Sequence, residues 1–274
     1  ESSLPLLSEF YTGNASSEVK RAVIHAHIAS DEPAPLVKLF ESETDLELRK
    51  DIIHALGAME ATEELQALYP SLQDRELRVA TIEAFSIAGD STLLKQVLDS
   101  ETDPEIRRAA LYGIAMHGGN ETLPYLESRY DSAQSSEEKN NILQALMMMD
   151  EANDLAIRIV GSESDPELRR QAIHVLGINE GTEELMDLYR SSEDPNTRKD
   201  IIEAMSIADD SQGLIRVLNS EQDEELRFSA IRFLGVTDNE DARQALEEFS
   251  SNGSKQEKSA VIESMMIMDD PEGL

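Results

Sequence analysis

Histidine, carboxylate and tyrosine recur in this chain at a spacing that first suggests acid–base or metal chemistry. His25, His54, Glu83, Tyr112, Gln144, His174, Glu203, Arg232 and Glu263 occupy one position of a pattern that returns about every thirty residues. Imidazole can ligate a metal or move a proton, and a neighbouring carboxylate can orient it. Metal binding needs three or four ligands converging within about 2.0–2.2 Å of one ion. His54 and His174 lie four repeats apart, His25 and His27 point to different faces of one helix, and His117 stands alone beside Gly118. No metal, no cofactor and no catalytic residue is therefore expected. The chain has no Gly-rich phosphate loop, no Gly-x-Ser-x-Gly and no His-Glu-x-x-His, and with 56 Asp and Glu any chosen acid–base pair would be arbitrary. The chain is expected not to be an enzyme. The row reads instead as a strip in which neighbours sit roughly 10 Å apart and together contact an extended ligand. The alternative is a solvent-facing position filled arbitrarily.

What would position such a strip is the repeat itself. Asp45-Leu46-Glu47-Leu48-Arg49 returns as Asp103-Pro104-Glu105-Ile106-Arg107, as Asp165-Pro166-Glu167-Leu168-Arg169 and as Asp223-Glu224-Glu225-Leu226-Arg227. One basic residue marks the register: Lys20, Arg49, Arg78, Arg107, Lys139, Arg169, Arg198, Arg227 and Lys258, in steps of 29, 29, 29, 32, 30, 29, 29 and 31. After each Asp-Pro, apolar residues follow the helical period, as in Leu168, Ala172, Val175 and Leu176. Asp before Pro is an N-cap followed by a residue whose missing N–H costs nothing at the first helical position. A shorter helix precedes each of these, so the unit is a pair, a leading and a trailing helix. Units fall at about 1–31, 32–59, 60–89, 90–118, 119–150, 151–179, 180–209, 210–237 and 238–269, with 270–274 opening another. The first leading helix is placed at Ser3–Tyr11, its turn at Thr12-Gly13-Asn14. Asp269-Asp270-Pro271-Glu272-Gly273-Leu274 repeats the form of Asp209-Asp210-Ser211-Gln212-Gly213-Leu214, so the parent chain is expected to continue past Leu274.

A longer period of about 60 residues overlies this one. Leading helices of odd repeats end in Tyr11, Tyr69, Tyr130, Tyr189 or Phe249, and those of even repeats in aliphatic pairs, Leu39-Phe40 excepted. Alternating wedge shape is the expected cause. Six Asp/basic pairs four residues apart, Asp45/Arg49 among them, form a ladder worth a few tenths of a kcal/mol each, unless the Arg reaches a neighbouring loop. The basic row is read as structural. Of the methionine runs, Met147 and Met266 are expected to show at the surface and the rest to be core.

The 274 residues include 24 basic and 56 acidic ones, net −32, with no Cys and no Trp. That charge disfavours nucleic acid and anionic membrane surfaces, and no apolar run approaches a membrane span. The acidity either solubilises the protein or forms an acidic trough for a basic partner. The absence of Cys fits a cytoplasmic or a periplasmic compartment.

Tandem helix pairs with Asp-Pro-Glu-(Leu/Ile)-Arg-Arg-x-Ala in the trailing helix resemble the HEAT-repeat superfamily, and most of all the compact bacterial type also seen in phycobilisome-lyase-like proteins. The resemblance covers essentially the whole chain. It implies an all-α, right-handed α-solenoid of about nine antiparallel pairs, one array over 1–274, with trailing helices lining a concave side. Deoxyhypusine hydroxylase, a HEAT-like relative, holds iron with repeated His-Glu pairs. No His-Glu dipeptide occurs here, so that activity is not expected. The expected function is a non-catalytic interaction scaffold, a monomeric segment binding a peptide or protein of basic character along the concave row. The alternative is a structural or accessory domain of a longer enzyme or envelope protein.

Overall fold

A computed structural model describes residues 10–11, 15–29, 32–237 and 239–269, with side chains as far as Met266. By contacts the chain divides into two compact blocks, Glu1–Tyr125 and Leu126–Leu274. The first contains α1 (Ser17–Ile28), α2 (Ala34–Ser42), α3 (Leu46–Ala58), α4 (Thr62–Leu68), α5 (Arg75–Ile87), α6 (Ser91–Ser100) and α7 (Pro104–His117). Helix α8 (Leu123–Ser132) contains the division. The second block continues with α9 (Ser136–Leu146), α10 (Asn153–Ser162), α11 (Pro166–Ile178), α12 (Thr182–Ser191) and α13 (Pro195–Ile207). It ends with α14 (Ser211–Ser220), α15 (Glu224–Thr237), α16 (Glu240–Asn252) and α17 (Lys255–Asp269). Odd-numbered helices are the trailing members of the pairs. The described residues contain no strand. Of the opening helix expected at Ser3–Tyr11, Phe10 and Tyr11 are described and helical, while Thr12-Gly13-Asn14 and Asp270–Leu274 lie outside the described residues.

Each trailing helix begins where the sequence supplies a cap. The Asp45 carboxylate accepts the Leu48 amide at 3.1 Å, Asp103 accepts Glu105 at 2.9 Å, Asp165 accepts Glu167 at 3.0 Å and Asp194 accepts Thr197 at 3.0 Å. Ser16, Ser135 and Ser254 do the same for α1, α9 and α17. These oxygens satisfy amides that have no partner within the helix. The Asp of the expected ladder thus faces back into its own helix end, and the basic residue four positions on has other work. The turns after α3, α5, α11 and α13 close through a left-handed residue, Glu60, Gly89, Glu180 or Asp209. The next amide then reaches back to a late helical carbonyl, as Ala61 does to Leu56 at 3.0 Å and Gly181 to Leu176 at 2.8 Å.

Trailing helices pack on one another in chain order within each block, α1–α3–α5–α7 and α9–α11–α13–α15–α17. Their aliphatic stripe, for instance Ile52, Ile53 and Leu56 or Ile201, Ile202 and Met205, is fully buried. Close approach is set by glycine. A Cβ at Gly57 would stand 2.8 Å from the Ala84 backbone, and one at Gly177 would stand 2.8 Å from the Ala204 carbonyl oxygen. The 29-residue step therefore places a glycine of an even repeat against an alanine of the next odd one.

Between odd and even repeats a second device recurs. The Tyr11 hydroxyl donates to Glu43 at 2.8 Å, Tyr69 to Glu101 at 2.9 Å, Tyr130 to Glu163 at 2.8 Å and Tyr189 to Glu221 at 2.5 Å. The same carboxylates take the basic residue of the odd repeat: Lys20 at 2.7 Å, Arg78, Lys139 at 2.7 Å and Arg198 at 3.1 Å. Each of these cations also lies over the ring of its tyrosine, 5.0–5.2 Å from the centroid. The other oxygen of Glu43 accepts the amides of Thr44 and Asp45, and Glu163 and Glu221 hold their own loops likewise. Basic residues of even repeats turn mainly to their own leading helix, although Arg227 also pairs with Glu257 of the following repeat and odd-repeat Arg198 also donates to the Ser192 carbonyl. Arg107, Arg169 and Arg227 donate to carbonyls at the end of their own leading helix, and Arg49 stacks on Phe40 at 4.2 Å. This alternation is the source of the 60-residue period.

Burial pushes the Glu43 and Glu163 carboxyls up, but the lysine, the loop amides and the tyrosine hydroxyl outweigh it and leave both at about 2. Because these pKa values are depressed below the ordinary 4.5, the stability they confer is present above pH 4.5 and is lost as pH falls toward 2. The partner tyrosines are shifted upward, first by burial and then by the adjacent carboxylate, so their contribution holds below pH 10 and is lost above it. Melting temperature should fall on both limbs. Glu163→Gln should cost about 3 kcal/mol at pH 7 and flatten the acid limb in a pH series of thermal melts; an unchanged acid limb contradicts the assignment. Gly177→Ala should destabilise by about 1–2 kcal/mol in denaturant unfolding, because the contact with backbone outweighs the roughly 1 kcal/mol gained in helix propensity.

Candidate functional site

Trailing helices present one face that is not used in stacking, and the residues on it sort into three bands along the helix. At the amino-terminal end lie ion pairs between successive repeats. Lys50 meets Glu47 at 2.9 Å and also Glu76, and Arg75 meets Asp103 at 3.1 Å and Glu105 at 2.9 Å. Exposed pairs of this kind add little stability, but they leave few bare charges.

The middle band is the row singled out in the sequence. His25, Glu83, Arg232 and Glu263 are exposed, and His54, Tyr112, Gln144, His174 and Glu203 are half-buried. Consecutive members approach each other in both blocks: His54 Nε2 lies 3.4 Å from Glu83 Oε2, and His174 Nε2 lies 4.0 Å from Glu203 Oε1. The strip spacing is thus short enough for side chains of adjacent repeats to touch. In the first block His54, Glu83 and Tyr112 line one groove of about 760 Å³. In the second, Arg232 and Glu263 share a groove of about 430 Å³ with Lys199 and Phe228. Beside this row Asp200 is held above the usual carboxyl range by burial, which outweighs the nearby Arg170. Among the described residues no three His, Asp or Glu come together closely enough to hold a metal ion.

The third band went unrecognised in the sequence. Four residues beyond the row, near the end of each trailing helix, stand Ile87 and Met116 in the first block and Met148, Ile178, Ile207 and Val236 in the second. All six are large apolar side chains, 45–60% exposed. Within the helices a spacing of four keeps them on the same face as the middle band, while Met148 lies in the turn just past the end of α9. Ile87 and Met116 form the apolar part of the larger groove. The sequence signal was available at a constant offset of nine from the basic marker, but the run was read as core. Met148, not Met147, is the exposed member of its run and Met149 is buried, because α9 ends at Leu146 and the chain turns there. Met266 is exposed as expected.

The net charge does not fall on this face. The nine trailing helices contain 17 of the 24 basic and 16 of the 56 acidic residues, so they carry +1 of the net −32. Leading helices and loops carry the rest. Among the described residues no helix is long and apolar enough to cross a membrane.

No family model matches the sequence, and no curated protein matches it. Solved structures do. Human deoxyhypusine hydroxylase in complex with glycerol is 14% identical with a TM-score of 0.37, over 92% of this chain and 98% of that one. The CpcE–CpcF complex of phycocyanin lyase from Nostoc sp. PCC7120 is 17% identical with a TM-score of 0.38, over 87% and 94%. A computationally designed self-assembling cyclic homooligomer is 15% identical with a TM-score of 0.17, over 93% and 96%. At such identities the likeness is one of fold. The expectation that the chain is not an enzyme is corrected here: the similar structures include a hydroxylase and a lyase, and missing motifs do not set catalysis aside. The chain is an all-α array of helix pairs, and its likeness to these proteins is one of helical repeat.

Proposed function

We propose that the trailing-helix face binds polypeptide, with the exposed aliphatic and methionine row as its energetic core and the His/Glu row as its polar border. The row carries this reading. Within each block large apolar side chains stand at corresponding positions, each exposed by about half, and covering the remaining half gains about 0.7–1.5 kcal/mol apiece. They lie in line with a polar row that varies from repeat to repeat, so affinity and selectivity come from adjacent bands of one surface. The near-neutral charge of the trailing helices supports an amphipathic ligand held by apolar contact. Binding of this kind changes little with salt, unlike binding steered by net charge.

A peptide library selected on the folded chain at about 0.15 M salt tests this. Selected peptides should lose at least tenfold in affinity to the triple variant Ile178→Glu, Ile207→Glu, Val236→Glu, which removes roughly 1.4 kcal/mol or more of apolar contact, and should keep their affinity when Glu183 and Glu184 of α12 are changed to Gln. Selected binders indifferent to the triple variant, or lost only on the α12 change, would overturn the reading.

A further inference from the structure

Cations on the trailing helices are answered by carboxylates, and the groove shared by α13, α15 and α17 breaks that habit. Arg21 meets Asp51, Lys50 meets Glu47 and Glu76, and Arg170 meets Glu167. All three cations stand one residue after the basic marker, and so does Lys199. Among the described residues no ion pair or hydrogen bond engages the Lys199 ammonium or the Arg232 guanidinium, and both side chains are exposed. Arg108 in the first block is unpaired too, but its groove also contains Glu83 and Glu105 and offers one full cation. The sequence explains the release. Two residues before the marker, seven of the nine repeats have glutamate, and Asn196 and Gln256 are the other two. Asn196 stands three residues before Lys199, where Glu47 and Glu167 serve Lys50 and Arg170. Gln256 lines the groove itself. Both neutral replacements thus fall around one site. Glu225, at the position from which Glu76 reaches Lys50, is not paired with Lys199, and Glu257 is taken by Arg227.

We propose that this groove of about 430 Å³ is a binding site for a phosphate monoester. Such a group carries about −1.5 to −2 charge at pH 7 and three strong acceptor oxygens. Lys199 and Arg232 supply two positive charges to match it, and the guanidinium fork pairs with two of the oxygens at once. Ser229, Ser259 and Gln256 line the same groove and add neutral donors. Phe228 gives the organic side of the ester an apolar contact. A carboxylate has one charge and two oxygens, and would leave one of the cations unanswered. Glu263 is the carboxylate on the lining, and it is exposed and free to turn to water. No ion pair joins it to Arg232, although His54 and Glu83 approach to 3.4 Å at the corresponding positions of earlier repeats. The net charge of −32 resides on leading helices and loops, and at about 0.15 M salt it is screened over about 8 Å. A small phosphorylated molecule and a phosphorylated residue of a polypeptide share this chemistry. The site uses none of the exposed apolar side chains, so it is separate from the polypeptide reading.

Titration calorimetry of the folded chain with phenyl phosphate, at about pH 7 and about 0.15 M salt, tests this. The ligand should bind at a single site, and Lys199→Gln with Arg232→Gln should weaken it by about tenfold or more. Lys38→Gln with Arg216→Gln, an equal loss of charge on the leading helices α2 and α14, should change it by less than about twofold. Asn196→Glu with Gln256→Glu restores the residue of the other seven repeats and leaves both cations in place, and should weaken binding by about fivefold or more. All six positions are exposed, so the variants keep the fold. Benzoate should bind at least about fivefold more weakly than phenyl phosphate. A phosphoserine peptide separates the two sources: it binds more tightly than phenyl phosphate where polypeptide carries the group, and no more tightly where a small molecule does. No binding of phenyl phosphate, or binding indifferent to the Lys199 and Arg232 changes, would overturn the site. Equal weakening by the Lys38 and Arg216 changes would reduce it to net charge, and benzoate binding as tightly would overturn the phosphate assignment.

Discussion

A carboxylate buried where two repeats meet fixes how this chain stacks. Glu43, Glu163 and Glu221 each accept the tyrosine hydroxyl and the cation of the repeat before, and the two amides of their own loop. An isolated charge in that position would be expensive to bury. With every lone pair directed at a donor it becomes specific instead. The loop so held contains the Asp that caps the trailing helix, as Glu43 holds the Asp45 amide and Asp45 holds the Leu48 amide. Stacking and helix initiation are thereby coupled within three residues. An odd repeat followed by another odd one would leave a tyrosine and a cation without their carboxylate, so the order of the two kinds is part of the fold.

Much of this was legible in the sequence, and the remainder failed for physical reasons that can be named. Helix pairs, register and Asp caps follow from one-dimensional rules about apolar period and orphan amides, and they needed no partner to be seen. The 60-residue period was visible in Tyr11, Tyr69, Tyr130 and Tyr189, yet the acceptor lies 32 or 33 residues away in the next repeat. Glu43, Glu101, Glu163 and Glu221 sit six residues before a basic marker and were lost among 56 acidic residues. The Asp–Arg ladder misled in the opposite way. Spacing of four allows a contact, but the helix end competes for the Asp, and the clasp or the leading helix's carbonyls compete for the Arg.

The exposed row shows a related limit. Ile178 and Ile207 belong by type to a core, and helical periodicity alone cannot say whether a face is covered. Coverage depends on where the next helix comes, and Gly57 and Gly177 set that approach two positions after the aligned core residues Ala55 and Val175. One position further along, the side chain falls outside the contact and meets water.

Total charge was the least informative number, because it is a sum over surfaces with opposite requirements. Trailing helices make most of the repeat-to-repeat packing, so a charge on one lies close to the corresponding charge on the next. Like signs in such a column would repel at every step. The column is instead paired, Arg21 with Asp51 at 2.8 Å and Lys50 with Glu76, which brings the trailing helices close to neutrality. Leading helices and loops are under less of this constraint and hold a net −33. The near-neutrality of the trailing helices is thus a consequence of stacking, in which charges such as those of Arg21 and Lys50 are met by their opposites on the neighbouring repeat.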